Sequence, residues 1–251
     1  MNAATFYSRL RESLSSLVSE NGLKSEKVVV RARPLTPEEG IGKPDREDFP
    51  ILQGVEKLME ARFRGARGQA FTDQWGNFSG TLDQVVNLSL GDNRERAIFI
   101  AVLNAFLAWL GKAEGTVHCR NEGPGECSRE LESFLERYPA ASRVALIGLQ
   151  PALLQALSRL RDTRACDLNP ENIGKTKHEV LIEDGRDPSS ILEWADLALV
   201  TGTTVTNGTI EKFLSCSIPI VFFGTTISGT ASLLGLTRYC PCSLSGSPKD
   251  S

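Results

Sequence analysis

Two groups of residues in this chain have the types and spacing to do chemistry. The first is His118, Cys119 and Cys127, with Glu122 and Glu126 between them. Imidazole and thiolate are soft-metal ligands. The spacing is C-x7-C, however, and lacks the C-x-x-C knuckle of a structural zinc site. Cys240-Pro241-Cys242 adds two thiols near the C-terminus, and the sequence does not say whether they reach the first group. Ordinary reduced thiols are the competing reading, because disulfides are not expected in a mid-sized chain of intracellular character. The second group is the run from Thr201 to Thr209, TGTTVTNGT, which follows an apolar segment. Gly202, Thr203, Thr204, Asn207, Gly208 and Thr209 would offer backbone N–H groups and hydroxyls at the opening of a helix, where the dipole favours an anion. Capping Thr residues and an Asn-Gly turn that merely join strand to helix are the plainer alternative. Gly224-Thr225-Thr226-Ile227-Ser228-Gly229 repeats the design one strand later, so the two loops would wall one pocket.

Around these groups stand further candidates. Ile147-Gly148-Leu149-Gln150-Pro151 is a strand–turn without the G-x-G-x-x-G that lets pyrophosphate approach. Asp167 lies where an acid holds a ribose hydroxyl in nucleotide-binding sheets, and Asn169-Pro170 turns the chain after it. The plainer reading of Asp167 is a polar residue closing a strand. Asn104 is the single polar residue in the apolar stretch 97–110. It is either satisfied by buried backbone or aimed into a cleft. There is no Ser-His-Asp order, Walker loop or H-E-x-x-H.

Positioning these residues requires two kinds of architecture. The first 110 residues read as α+β: a helix over 4–20, strands at 27–33 and 55–63 with a resumption at 69–72, a loop at 34–50 and a turn at 76–80. A short helix over 81–90 follows, then an apolar helix introduced by an Asp92/Glu95 capping box. Residues 111–129 are polar and Gly-rich and read as a linker. Beyond it, short apolar strands at 143–148, 163–168, 179–184, 197–201 and 218–223 alternate with helices at 151–160, 189–194 and 209–215 and, after a loop at 224–229, a short helix through 234. That alternation predicts a parallel, doubly wound sheet. The predicted division is 1–112, 113–242 and a disordered tail at 243–251.

The chain has 251 residues, 41% of them hydrophobic and 24% charged, with a formal net charge of -3. That balance supplies a core and argues against a protein built to grip nucleic acid. No signal peptide or spanning segment is recognisable, so a cytoplasmic protein with no membrane partner is expected.

The segments VALIG, DLNPE and ADLALVTGTTVTNGTIE, with the upstream GDNRERAIFIAVLNAF and TVHCRNEGPGEC, resemble the putative heavy-metal chelation family over roughly residues 5–237. The TGTTVTNGT block is the most specific part. The resemblance implies an N-terminal domain like that of enolase, a Rossmann-like C-terminal domain, a ligand site in the cleft between them, a homodimer and a role in binding heavy metals. Carried over by position, the matching residues are Gly148, Asp167, Asn169, Pro170, Thr201, Gly202, Thr203, Thr204, Asn207, Gly208 and Thr209, with Asn104 from the first domain. Members often have a Pro-containing loop after the last strand, where this chain has GTTIS. The combined expectation is a cleft for a small anionic or metal-bearing ligand, either a heavy or transition metal ion or its chelate. The rival is an enzyme using a nucleotide-type cofactor such as NAD or S-adenosylmethionine.

Overall fold

The computed structural model describes residues 3–24, 30–43, 51–52 and 56–248. Expectations for 27–29, 44–50, Val55 and the last three residues therefore lie outside the described residues. The first half begins with α1 (Ala3–Glu20), β1 (Val30–Pro34) and α2 (Pro37–Ile41). Then come β2 (Lys57–Phe63), β3 (Ala66–Thr72), β4 (Phe78–Gly80), α3 (Leu82–Val86) and α4 (Asn93–Trp109). β3-β2-β1-β4 form a four-stranded antiparallel sheet.

The second half runs through α5 (Gly123–Leu135), β5 (Arg143–Ile147), α6 (Pro151–Leu160), β6 (Asp162–Asp167), β7 (Thr176–Lys177) and β8 (Val180–Asp184). It continues with α7 (Ser189–Trp194), β9 (Leu197–Thr201), α8 (Thr204–Asn207), α9 (Glu211–Leu214), β10 (Ile220–Phe223), α10 (Ser228–Leu234) and β11 (Arg238–Tyr239). Its strands make one seven-stranded sheet in the order β11-β10-β9-β5-β6-β8-β7, parallel except for the β7–β8 hairpin. Alternate residues take opposite sides, as the two-residue period of a strand requires. Val144, Leu146, Leu197, Leu199 and Val221 face one core with α5 and α6, while Ala145, Ile147, Ala198, Val200 and Phe222 face another. A parallel sheet covered on both faces is the expected outcome of such apolar strands.

That second core also contains α1, α4 and the inner face of the small sheet. α4 is buried at every position from Ala97 to Ala108, so it lies between the two sheets. Asp92 caps it by accepting from the Glu95 N–H at 2.7 Å, but the Glu95 carboxylate turns to Ser89 and the capping box does not close.

Several local expectations are corrected. The turn at 76–80 contains β4, which pairs with β1. The loop at 34–50 contains α2, started by a Thr36/Glu39 capping box. The linker at 111–129 is pinned: Gln69 N–H donates to Thr116 C=O at 2.9 Å, Val117 pairs with Leu244, and α5 begins at Gly123. The tail is not loose as far as Pro248, since Arg67 N–H donates to Gly246 C=O at 2.8 Å. The helix expected from Thr209 starts earlier, at Thr204, and is broken at Gly208, whose left-handed φ of 82° ends α8.

Candidate functional site

The chain leaves β5 outward through β6 and β8, then returns to β9 on the other side of β5. A parallel sheet opens a crevice at the carboxyl ends of the strands where its order reverses. The cleft of this protein lies there. The ends of β5, β6, β9, β10 and β11 form one wall, and the β2–β3 ladder of the small sheet forms the other. The cleft has two lobes that share Glu56, Leu149, Thr201 and Thr203.

The first lobe is apolar and carries thiols. Phe71, Leu153, Phe223 and Tyr239 line it with His118, Cys119, Cys127 and Cys240. Sequence left open whether the C-terminal cysteines meet the first pair, and they do. The Cys127 thiol lies within interaction reach of both Cys119 and Cys242, so it links the other two sulfurs. β11 makes this possible by pairing beside β10, and the Tyr239 hydroxyl donates to the Cys127 carbonyl on α5. Gly123 lets α5 start against Cys119, because an added Cβ would fall 2.6 Å from the Cys119 Cβ. The Cys119 contact and burial hold the Cys127 thiol well above the ordinary thiol range, and burial with the Cys127 contact pushes Cys242 up to about 12. These are protonated thiols at neutral pH.

His118 Nδ1 sits 2.5 Å from the Cys119 carbonyl oxygen, a contact that requires Nδ1 to carry the proton. Nε2 then keeps its lone pair, the tautomer a metal-binding imidazole adopts when its other nitrogen donates to a carbonyl. Burial also lowers the His118 pKa, favouring the neutral ring. A buried relay holds this segment. Glu60, clasped by Arg62 and Arg67, accepts from Gln69 Nε2 at 2.8 Å, and Gln69 Oε1 accepts from His118 N–H at 2.8 Å. Among the described residues no three His, Cys, Asp or Glu side chains already converge on a metal position.

The second lobe is lined by Gly148, Asp167, Asn169, Pro170, Thr204, Asn207 and Thr209, all singled out by sequence. Gly148 has φ 85°, and a Cβ there would fall 2.5 Å from Thr201 Cγ2, so only glycine lets β5 and β9 end so close together. Asp167 does not have free oxygens. One accepts from Leu149 N–H and the other from Asn169 N–H, both at 2.6 Å. It staples two strand-end loops together, which is more than closing a strand.

The hydroxyl-rich loop is likewise engaged with the protein. Thr206 Oγ1 donates to Phe71 C=O at 2.8 Å and Thr226 Oγ1 accepts from Phe71 N–H at 3.0 Å, clamping β3 onto both loops. Thr204 Oγ1 donates to Thr201 C=O, and Thr209 Oγ1 donates to Asn207 Oδ1. Thr201 and Thr203 hydroxyls are 3.1 Å apart at the junction of the lobes. Gly202, Gly224 and Thr225 line the first lobe.

Two candidates do not line the cleft. Gly208 ends α8 beside Arg96. Asn104 is fully buried: Nδ2 donates to the carbonyls of Gln69 at 2.8 Å and Thr226 at 3.1 Å, and Oδ1 accepts from Gly229 N–H at 2.7 Å. It knots α4, β3 and the loop before α10, the plainer of its two readings.

Sequence reasoning missed Glu56, Asp73 and Lys212, which line the second lobe. No motif marks them. The β2–β3 register, with Lys57 opposite Thr72, brings Glu56 and Asp73 together one step further along. Three carboxylates against one ammonium make this lobe unfavourable for a free anion, contrary to the expected anion cradle.

The architecture defines a mixed α/β protein with a seven-stranded, mostly parallel sheet, a smaller antiparallel sheet and a strand-end cleft. Residues 133–236 match the family model DUF364, described as "Putative heavy-metal chelation", which bears out the family resemblance over that segment, while the upstream segments lie outside the match. A crystal structure of a DUF364 protein of unknown function from Pyrococcus horikoshii is similar, with a TM-score of 0.55 and 13% identity over 88% of this chain and 79% of that one. A second, from Desulfitobacterium hafniense DCB-2, is also of unknown function and the same family, with a TM-score of 0.49 and 14% identity over 71% of this chain and 72% of that one. At 13% identity the likeness to the Pyrococcus horikoshii structure concerns the fold. No curated protein matches the chain. Among the described residues no helix is long and apolar enough to cross a membrane.

Proposed function

We propose that the cleft binds a small metal-bearing ligand, with a soft metal ion taken by Cys119, Cys127 and Cys242 beside His118. The observation that carries this reading is the meeting of the Cys119, Cys127 and Cys242 thiols beside a strand-end cleft whose wall carries Cys119 and Cys127. Soft thiolate and imidazole donors select soft and borderline metals. Because among the described residues no three such side chains converge on a point, the ion has to draw them together and displace their protons. The family description supports the same reading. The acidic second lobe disfavours a free anion, and a nucleotide would find neither a glycine-rich turn for its phosphates nor an unengaged Asp167 for its ribose.

The test is a titration of the reduced protein with Cd(II), followed by the ultraviolet sulfur-to-metal charge-transfer band and by metal analysis after desalting. One equivalent should be retained by the native protein, and the band should fall sharply in Cys127→Ser. Retention unchanged in that variant, or no retained metal with Cd(II), Hg(II) or Zn(II), would remove the reading.

A further inference from the structure

The second lobe holds two polar groups of opposite character with capacity that no other described residue takes up. Glu56 sits half-buried at the junction of the lobes, and among the described residues no donor or cation pairs with it. Asn169 Oδ1 accepts from Glu171 N–H at 3.0 Å, but its Nδ2 is buried without an acceptor. A buried donor left open costs free energy, and such groups gather where a ligand completes them.

The charges around Glu56 define what that ligand carries. Asp73 at the end of β3 and Asp167 at the end of β6 face it, and burial with these two like charges pushes Glu56 up to about 7. Lys212, the lining ammonium, donates to the Arg186 carbonyl at 2.7 Å. Neither a carboxylate nor a phosphate suits this arrangement. A bare hard cation also lacks a ligand set, since among the described residues no three acids converge on a point.

We propose that the second lobe is a binding site for a small amine, its ammonium against Glu56 and flanked by Asp73 and Asp167, with an oxygen acceptor on the ligand meeting Asn169 Nδ2. An amino alcohol is the simplest molecule of that description. The site uses none of the thiols, so it stands independently of the metal reading. Its ammonium supplies the donors and positive charge that Glu56 lacks, and the ligand oxygen closes the open amide.

Three four-carbon probes that differ at one end separate the possibilities: aminobutanol, butanediol and hydroxybutanoate. In thermal-shift and calorimetric titrations near pH 8, where Glu56 is ionised, aminobutanol should raise the melting temperature and the diol and the acid should not. Glu56→Gln should weaken the amine at least about tenfold, since it removes a charge-assisted contact while keeping the side chain's shape. Asp73→Asn, at an exposed position, provides a second variant that keeps the fold. Binding should weaken as pH falls through 7, because a protonated Glu56 no longer attracts the ammonium. Equal stabilisation by the diol or the acid, amine binding unaltered in Glu56→Gln, or stabilisation by Mg(II) in place of the amine would each overturn the proposal. Glu56→Gln should still take up Cd(II), and Cys127→Ser should still respond to the amine, so failure of one site is distinguishable from failure of the other.

Discussion

At the scale of single residues, the thiol cluster makes a prediction whose sign follows from protonation. Cys127 and Cys242 both titrate far above neutrality, Cys127 through its contact with Cys119 and burial, Cys242 chiefly through burial. A metal must therefore expel their protons, and lower proton activity favours binding. If two thiols release protons, the apparent Cd(II) affinity should rise about a hundredfold per pH unit between about pH 6 and 8. Cys127→Ser should lower that slope by about one proton. Competition against a chromogenic chelator at several pH values measures it, and a flat profile would show that thiolates are not the ligands. Three of the four members of this cluster were legible in sequence. His118, Cys119 and Cys127 are close in the chain and of one chemical class. Cys242 joins them through a two-residue strand and one tyrosine hydroxyl, neither of which leaves a periodic trace. The threonines misled in the other direction. Their composition suggested a cradle, but Thr206 and Thr226 are committed to Phe71, a partner 135 and 155 residues away respectively.

At the scale of elements, one glycine sets how closely the small sheet approaches the central helix. Gly68 on β3 packs against the backbone of α4, where an added Cβ would overlap Ala105 N, Ala101 O and Asn104 C. None of these atoms can rotate away. Gly68→Ala should therefore cost about 3 kcal/mol, the upper part of the usual range for overpacking. The midpoint of urea unfolding reads the loss, and a cost within experimental error would mean that β3 and α4 separate easily. Phe71 lies three residues further along β3, so a shift of this strand would reach the cleft through the Thr206 and Thr226 clamps. The elements themselves were largely readable, because apolar strands and the all-apolar α4 follow from simple periodicity. The missed pieces were α2, α5, α8, β4, β7 and β11, where short length or Gly and Pro composition mimics a loop.

At the scale of the whole molecule, α4 decides whether the chain behaves as one folding unit or two. Cutting the sequence near residue 112 assigns α4 to the first half, yet the core around it includes Ala145, Ile147, Ala198, Val200 and Phe222 of the large sheet. Removing α4 from that face would expose a continuous apolar patch, a far larger penalty than the marginal stability of a domain allows. Polar ties cross the same boundary: Tyr7 O–H donates to Val205 C=O at 2.8 Å, and Arg96 Nε donates to Thr206 C=O at 2.9 Å. Neither half can loosen without breaking contacts in the other, so unfolding should be a single cooperative transition. The tryptophans allow each half to be watched separately. Trp109 closes α4 against Phe63 and Phe106, and Trp194 closes α7 beside Arg143 and Arg164. With Trp75 and one of these replaced by Phe, fluorescence of the remaining tryptophan should give the same urea midpoint for both reporters and for far-ultraviolet circular dichroism. Two separated midpoints would mean that the halves unfold as independent domains, and that the cleft joins two bodies free to move against each other.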